Sequence, residues 1–365
     1  MAGETQDAYA QFSLGRDSVN QAMDGLLGSS LIPQILDAGY NFDFIDDEAI
    51  ARVGIPYPLL VLPKVQRMPA ATSQKIKEYR GKVITAPTSS AALHAALAAD
   101  VAAAPEIGFI HRKLDFADVY FVANTSNHPV ETQATFRMQG LQAESWNPLT
   151  GEITGAGGPR IDLTLAPYES RVFVFSKGRV GLRPAPAAPT TTDLSTNWTI
   201  TFPGTRPTPL PTLRSWADDA ARKYYSGQAT YEKTVAIPDP RRRQVYLNLG
   251  EGTPVTSQER RAGSGMRAMF ENAVREAAVV YVNGKRAGSV WCAPYEVNIT
   301  PLLRPGENAI RVVVANTAVN LLAKGPLPDY KALTAKYGER FQAQDMNSVQ
   351  PLSSGLLGPV KLIVR

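Results

Sequence analysis

The chain of 365 residues has few of the residues that build disulfides and zinc sites. It contains one cysteine, Cys292, and three histidines, His94, His111 and His128. A single cysteine excludes an internal disulfide and a cysteine-rich metal site, and three scattered histidines lack zinc-motif spacing. No run approaches 18 consecutive apolar residues, so the sequence predicts no membrane-spanning helix. No glycine-rich phosphate loop follows a predicted strand, which argues against a nucleotide site.

The composition also argues against nucleic acid as a partner. Hydrophobic residues make up 44% and charged residues 19%, as is typical of a soluble globular protein. The net charge is +5, but the basic residues are dispersed, and the densest run, arginines 241–243, follows a turn signal. We therefore expect neither nucleic-acid nor membrane binding. The first residues lack the features of a signal peptide, which predicts a cytoplasmic or periplasmic location in a bacterium.

Residues 31–105 alternate helix and strand signals. The apolar run "YPLLVLP" at 57–63 predicts a buried strand, and Pro69 and Gly81 delimit a predicted helix. The run "KVITAP" that follows predicts a second buried strand, and "SSAALHAALAADVAAA" another helix. This β–α–β order predicts a small parallel sheet with helices packed on it.

The pattern changes to short extended runs at about residue 106. The runs 118–124 and 131–136 flank the turn signal at 127–129, which predicts a hairpin that opens with His111 and Arg112. The segment "NPLTGE" predicts a second hairpin turn, and the all-β module is expected to end near Ser176. The Pro/Ala/Thr-rich stretch at 179–194 predicts a linker.

Residues 195–365 again show about eight strand signals. Asn283 and Gly284 lie at the tip of the strongest predicted hairpin. The pattern predicts a jelly-roll β-sandwich. Two insertions, 251–276 and 323–354, lack strand signals, and loops of that length are often functional.

Five runs of the sequence resemble parts of large glycoside hydrolases. The runs "YSGQATYEKTVAIP", "VYVNGKRAGSVWCAPYEVNITPLLRPGENAIRVVVANT" and "SSGLLGPVKL" resemble the sugar-binding, galactose-binding-like jelly-roll of β-galactosidase and β-glucuronidase relatives. The runs "YPLLVLPKVQRMPAATSQKIKEY" and "FIHRKLDFADVYFVANTSNHPVETQATFRMQGLQAESWNPLTGEI" resemble the flavodoxin-like domain and the next β domain of glycoside hydrolase family 106, the α-L-rhamnosidases. The resemblance covers about residues 31–365.

The resemblance implies a fold class of α/β plus all-β. Its parts are an N-terminal helical segment (1–30), a flavodoxin-like domain (31–105), a β-sandwich module (106–178), a linker (179–194) and a jelly-roll (195–365). In that family a catalytic barrel with paired carboxylates precedes these domains. At most 30 residues precede the α/β domain here, so we interpret residues 1–30 as a relic of the barrel's last helix. No position matches the family's acid and base.

Two functions fit this interpretation. The first is a truncated glycoside hydrolase relative that hydrolyses or binds galactoside- or rhamnoside-type glycosides. The alternative is a non-catalytic carbohydrate-binding or scaffold subunit of a split glycosidase. In either case the expected partner is a glycoside or oligosaccharide. We also expect a homo-oligomer, most simply a symmetric dimer, because loss of a barrel would expose an apolar surface near residues 1–60 and the His111 hairpin.

Candidate site residues combine carboxylates with aromatic and polar side chains. Glycoside hydrolysis needs two carboxylates, about 5 Å apart for retention and about 6.5 to 9.5 Å for inversion. The catalytic candidates are Glu296, Asp345 and Glu144. The carbohydrate-binding candidates are Trp291, Tyr295, His111, Arg112, Tyr224 and Trp146. For each carboxylate the competing interpretation is an ordinary surface residue, and for Trp198 and Trp216 we expect core packing.

The predicted location of the site is the jelly-roll rim that carries Trp291, Tyr295 and Glu296. An aromatic ring there would contact the C–H face of a sugar, and a carboxylate would accept hydrogen bonds from its hydroxyls. The 323–354 insertion would close the site. Its candidate contributors are Asp329, Tyr330, Glu339 and Asp345. No cofactor is predicted, apart from the structural calcium that jelly-rolls often carry.

Overall fold

The computed structural model shows a β-rich protein with few helices, in agreement with the predicted β content. It describes residues 25, 27–63, 65, 68–148, 151, 153–177, 189–237, 243–255, 269–326, 329–338 and 349–365. The chain forms two compact units. The first comprises 1–125, 130–165 and 170–183, and the second comprises 126–129, 166–169 and 184–365. Within the described part of the chain, no helix is long and apolar enough to cross a membrane.

The first unit begins with helices around a parallel strand pair. The helices are α1 (Leu31–Asp37), α2 (Asp47–Val53), α3 (Ala70–Glu78) and α4 (Ser90–Ala96). The strands β1 (Leu59–Leu62) and β2 (Lys82–Thr85) pair in parallel. Local capping fixes two helix starts, because the side chains of Asp46 and Ser89 accept hydrogen bonds from the amides of Ala49 and Ala92.

This arrangement confirms the β–α–β order but corrects one detail. Strand β2 was expected to be buried, yet Val83 is exposed and the strand buries none of its four residues. In the described residues the parallel sheet has two strands, and the exposure of Val83 shows that one face of β2 is not covered. A buried parallel strand needs cover on both faces.

The rest of the first unit is a module of two antiparallel sheets. Its strands are β3 (Val101–Ala102), β4 (Ile107–Lys113), β5 (Asp118–Asn124), β6 (Val130–Phe136), β7 (Gln142–Trp146), β8 (Ile153–Gly157), β9 (Arg160–Leu165) and β10 (Ser170–Ser176). One sheet has the order β4-β5-β10-β7-β8 and the other has the order β3-β6-β9. Tyr120, Phe136, Phe173 and Phe175 pack between them.

The predicted hairpin between 118–124 and 131–136 is wrong. Strand β5 pairs with β4 and β10, whereas β6 pairs with β3 and β9 in the other sheet. The chain therefore crosses from one sheet to the other between β5 and β6, and the two strands contribute Tyr120 and Phe136 to the shared core from opposite sides. The hairpin that contains His111 is instead β4–β5, which is closed by a hydrogen bond from the Leu114 amide to the Ala117 carbonyl at 2.8 Å.

The second unit is built from two larger sheets. Its main strands are β11 (Thr190–Asp193), β12 (Thr196–Thr201), β13 (Thr208–Thr212), β14 (Gln228–Ile237), β15 (Val245–Asn248), β19 (Ala277–Val282), β20 (Lys285–Val290), β21 (Glu296–Asn298), β22 (Gly306–Ala315) and β24 (Lys361–Val364). The short strands are β16 (Thr253–Pro254), β17 (Phe270–Glu271), β18 (Val274–Arg275) and β23 (Gly355–Leu356). The sheet orders are β11-β24-β15-β21 and β13-β12-β14-β22-β19-β20.

The core of the second unit lies between these sheets. Trp198 and Trp216 are buried in it, as expected, together with Tyr231 and the alternate valines of β19 and β22. The indole Nε1 of Trp216 donates to the Tyr231 hydroxyl at 2.6 Å. Burial raises the pKa of Tyr231 to about 12, so this hydroxyl stays protonated.

The turns and insertions of the second unit follow local chemistry in part. Asn283 and Gly284 both have positive φ and join β19 to β20, as the hairpin prediction requires. The 323–354 insertion, which lacked strand signals, contains the end of helix α5 (Val319–Ala323) and helix α6 (Tyr330–Tyr337). Residues 190–193, at the end of the predicted linker, form an edge strand. Arginines 241 and 242 and residues 1–24 lie outside the described residues.

Candidate functional site

The predicted rim in the second unit offers less to a ligand than its sequence indicates. Tyr295 is 3% exposed, and burial raises the pKa of its hydroxyl, with the nearby Cys292 and Glu276 charges acting in the same direction. The two carboxylate oxygens of Glu296 accept hydrogen bonds from Arg365 at 2.8 and 3.0 Å. Of the three rim residues, Trp291 alone presents a large apolar surface, with 62% of its area exposed.

The remaining candidates of the second unit do not assemble a site with Trp291. Asp345 and Glu339 lie outside the described residues. Asp329 caps helix α6 by accepting a hydrogen bond from the Ala332 amide, and Tyr330 is the first residue of that helix. Tyr224 is half-buried, with the Lys223 ammonium 5.7 Å from its ring centroid. The described candidates therefore do not provide the pair of unpaired carboxylates that glycoside hydrolysis needs.

His111 lies in a charged network inside the first unit. Its Nδ1 lies 2.8 Å from an Asp100 carboxylate oxygen, and its Nε2 lies 2.9 Å from an Asp118 carboxylate oxygen. The imidazole stacks on Tyr120, with ring centroids 4.1 Å apart, and the Tyr120 hydroxyl donates to Asp100 at 2.9 Å. Arg137 approaches the same Asp100 oxygen at 3.5 Å.

This geometry favours a protonated imidazole. A neutral imidazole has one N–H donor, whereas the protonated ring can donate to both neighbouring side chains. Burial disfavours the charged ring, but the hydrogen bonds and charges of Asp100 and Asp118 raise the pKa of His111 above its usual value. Burial likewise opposes ionisation of Asp100, yet the hydrogen bond and charge of His111, followed by Tyr120 and Arg137, lower its pKa. Both ring nitrogens of His111 are therefore occupied by side chains of the first unit.

The backbone of His111 joins the helical segment to the β-module. Its amide donates to the Asn41 side-chain oxygen at 2.5 Å, and the Asn41 side-chain amide donates to the Phe109 carbonyl at 3.0 Å. A cavity of about 200 Å³ lies beside this contact, lined mostly by apolar side chains of α1, α2 and β1, with Asp100 and Arg137 at one end. The polar ends are already engaged in the contacts above.

The outer face of the five-stranded sheet presents a different kind of surface. The strand register aligns Ile110 with Phe121, Phe121 with Val172, Val172 with Trp146, and Trp146 with Ile153. This apolar row crosses all five strands, a span of about 19 Å at the usual strand spacing. Apart from Val172, its members are between 39% and 51% exposed. We call this surface the Trp146 face.

Two polar residues, Arg112 and Glu144, lie in the neighbouring row of the Trp146 face. Register places Arg112, Val119, Val174, Glu144 and Gly155 side by side across the same strands, and Val174 at the centre of this row is buried. The Trp146 indole donates from Nε1 to the Glu144 carboxylate at 2.8 Å. This bond fixes the ring and leaves the second Glu144 oxygen as an acceptor.

The Trp146 face has the chemistry that a sugar requires. Flat aromatic and aliphatic side chains contact C–H groups, and a carboxylate accepts hydrogen bonds from hydroxyls. Two predicted residues, Glu144 and Trp146, are brought together here, and Arg112 lies in the same polar row. Among the residues that the structure describes, no group of three or more His, Cys, Asp or Glu side chains has the arrangement of a metal site.

Comparison with known proteins identifies the region that carries this face. A family model described as α-L-rhamnosidase, glycoside hydrolase family 106, matches residues 61–157. The chain contains a rhamnosidase-like glycoside hydrolase region. All residues of the Trp146 face except Val172 and Val174 fall within it.

Two relatives extend the comparison beyond residues 61–157. The chain is 27% identical over 234 residues to a "putative beta-glucuronidase" of Formosa agariphila, a match that covers 55% of this chain and 18% of that protein. It shares its fold with a rhamnosidase of Novosphingobium sp. PP1Y, with a TM-score of 0.61 and 22% identity, covering 84% of this chain and 33% of that one. The chain is thus a relative of glycoside hydrolases that spans a third or less of these two proteins.

Sequence reasoning missed the Phe121, Ile110 and Ile153 part of the Trp146 face. Each of these residues sits at an ordinary apolar position of a strand, and a strand with both faces apolar gives no sign of which face is covered. For Phe121 the structure shows which face is covered, because its neighbours Tyr120 and Val122 are buried.

Proposed function

We propose that this protein is a carbohydrate-active relative of the α-L-rhamnosidases that binds a glycoside on the Trp146 face. The observation that carries the proposal is the exposed row centred on Trp146 and Phe121, with Glu144 beside it, inside the region matched by the family model. The resemblance and the family match favour a rhamnoside-type ligand.

The physical basis is the combination of exposed apolar area with hydrogen-bonding groups in adjacent rows. Burying the exposed ring of Trp146 under the C–H face of a sugar removes apolar area from water. The free Glu144 oxygen accepts a hydroxyl hydrogen bond, and Arg112, on the far edge strand, donates to ring or hydroxyl oxygens. Because the Glu144–Trp146 bond already exists, little side-chain entropy is lost on binding.

We propose that the protein also hydrolyses the glycoside. The candidates Glu144 and Glu296 do not form the pair of carboxylates that hydrolysis needs. Glu144 and Glu296 belong to different units, and Glu296 is already paired with Arg365. The Trp146 face therefore contributes substrate binding, and a single carboxylate there does not complete a hydrolytic pair.

The finer architecture is part of the same proposal. We take residues 31–105 as a flavodoxin-like domain, 106–178 as a β-sandwich module and 195–365 as a galactose-binding-like jelly-roll. The sheet orders of the second unit and the shared fold with the rhamnosidase support this assignment. A homodimer is supported by exposed apolar side chains at Phe44, Leu114 and Phe116.

The test is calorimetric titration of the chain with methyl α-L-rhamnoside and a rhamnose-containing oligosaccharide, with release of 4-nitrophenol from its α-L-rhamnoside as the activity assay. Trp146→Ala should weaken binding about tenfold or more, because stacking on one aromatic ring is typically worth 1 kcal/mol or more with its buried area. Glu144→Gln should weaken binding less, since the amide oxygen still accepts a hydrogen bond.

Trp291→Ala is the matched control, because it removes an exposed tryptophan from the other unit. If Trp291→Ala abolishes binding while Trp146→Ala does not, the ligand binds at the rim of the second unit. If neither variant changes binding that is measurable in the wild type, the Trp146 face is not a sugar site. A change in self-association on Trp146→Ala, without sugar binding, would show that a second protein copy covers the face.

A further inference from the structure

A small cleft in the second unit has no place in the proposed function. It has a volume of about 160 Å³ and lies between strands β12 and β13 and the segment 214–222. Its base is formed by the apolar side chains of Phe202, Leu210 and Trp216, which belong to the core. Its charged lining consists of Arg214, Arg222 and Asp219.

Arg222 is held in place over an aromatic ring. Its guanidinium carbon lies 3.9 Å from the Phe202 ring centroid, and Phe202 packs edge-on against Trp216 with centroids 5.4 Å apart. The Arg222 amide donates to the Asp219 carbonyl at 2.8 Å, which fixes the backbone beneath the side chain. A guanidinium stacked through its face keeps its five in-plane N–H donors for other partners.

Neither arginine of the cleft has an acidic partner among the described residues. No carboxylate of the described chain lies within ion-pair distance of Arg214 or Arg222, and the Asp219 carboxylate accepts a hydrogen bond from the Ala221 amide at 3.0 Å instead. The hydroxyl of Thr205 is satisfied by the backbone of Phe202. The charged donors of the cleft that have no acidic partner among the described residues are therefore those of the two guanidinium groups.

We propose that this cleft binds an acidic sugar, a uronic acid unit, through its carboxylate. The planar guanidinium fork matches a carboxylate in two parallel hydrogen bonds, and Arg222 is already oriented for it. An Asp219 carboxylate in the same cleft would repel a simple anion but accepts hydrogen bonds from hydroxyls, so a ligand with both groups fits best. The volume is below the 300 to 1,000 Å³ of drug-sized pockets, which indicates a single sugar unit.

The test is titration of the full chain with D-glucuronate, D-glucose, acetate and sulfate at low ionic strength. Glucuronate should bind, and glucose should bind at least about tenfold more weakly, because it lacks the charge-assisted hydrogen bonds. Raising the NaCl concentration should weaken glucuronate binding. Arg222→Gln and Arg214→Gln should each weaken it about tenfold. Arg214 makes no described side-chain contact, so its variant keeps the fold even where the Arg222 variant loses stability.

Arg206→Gln is the matched control, since it removes an exposed positive charge four residues from Leu210 without touching the cleft lining. The affinity of the Arg206→Gln variant for glucuronate should stay within about twofold of the wild type. Equal binding of glucose, equal binding of acetate or sulfate, an equal loss in Arg206→Gln, or no binding of glucuronate would each overturn the proposal. Trp146→Ala should leave glucuronate binding unchanged, which separates this site from the Trp146 face.

Discussion

Replacing His111 by alanine should destabilise the first unit by about 3 kcal/mol. The substitution removes two short charge-assisted hydrogen bonds and the stack on Tyr120. It leaves the Asp100 carboxylate, whose side chain is 7% exposed, with the Tyr120 hydroxyl and a 3.5 Å contact to Arg137. Removing one partner of a buried ion pair typically costs 3 to 5 kcal/mol, and the remaining partners of Asp100 place the expected loss at the lower end.

The effect should depend on pH in a defined direction. The pKa of His111 is raised in the folded state, so its stabilisation is fully present below the unfolded value of 6.5 and is lost as pH rises through the folded pKa. The pKa of Asp100 is lowered, so its contribution is present above 3.8 and is lost as pH falls through the folded pKa. The difference between wild type and His111→Ala should therefore be largest near pH 5 to 6.

Hydrogen exchange followed by mass spectrometry suits this prediction, because it reports on β4 and β5 separately from the second unit. A loss of about 3 kcal/mol corresponds to roughly a hundredfold faster exchange of the protected amides in 107–124. His128→Ala, which removes an exposed histidine, is the control and should leave this exchange unchanged. A loss under 1 kcal/mol, or a difference that does not shrink as the pH rises above 6.5, would refute the charged network.

Two further substitutions test the second unit. Tyr231→Phe should lower the free energy of unfolding by about 2 kcal/mol in urea, because it leaves the buried donors Trp216 Nε1 and Leu356 N without their acceptor. Tyr246→Phe, on the outer face, is the control. An unchanged unfolding midpoint for Tyr231→Phe would argue against the buried hydrogen bonds. Gly284→Ala should lower the free energy of unfolding by about 1 kcal/mol in the same assay, because φ at this position is +81°. The added methyl group meets no atom within 4 Å, so the loss comes from the backbone conformation alone. An unchanged stability would show that the turn relaxes.

Features set by adjacent residues could be predicted from the sequence. The Asn283–Gly284 turn follows from the positive φ that these two residues tolerate. The helix that Pro69 and Gly81 were expected to delimit is present and begins directly after Pro69, although it ends at Glu78, before Gly81. Neither feature depends on what lies elsewhere in the chain, and both were confirmed.

Features set by distant strands could not be predicted in this way. The turn signal at 127–129 is the same whether the flanking strands pair or pass to opposite sheets. Which outcome occurs depends on β4, β9 and β10, which compete for the same edges. In the same way, the local sequence gives no sign that the Glu296 carboxylate is paired, because its partner Arg365 is 69 residues away. The two residues meet because β21, which begins at Glu296, and β24, which directly precedes Arg365, both pair with β15.

Strand alternation explains why His111 and Arg112, which are adjacent in the sequence, lie on opposite faces of β4. In β4, His111 shares the inner face with Tyr120, where its ring is enclosed by Asp100 and Asp118. Arg112 points to the opposite side, into the polar row of the Trp146 face. His111, on the inner face, can contribute to stability, and Arg112, on the outer face, can contribute to ligand contact. The two residues would exchange faces only if the register of β4 shifted by one residue. The network around His111 fixes that register, because a shift would bury Arg112 between two sheets and leave Asp100 without its cation. The charged core therefore also holds the Trp146 face in the alignment that its proposed function needs.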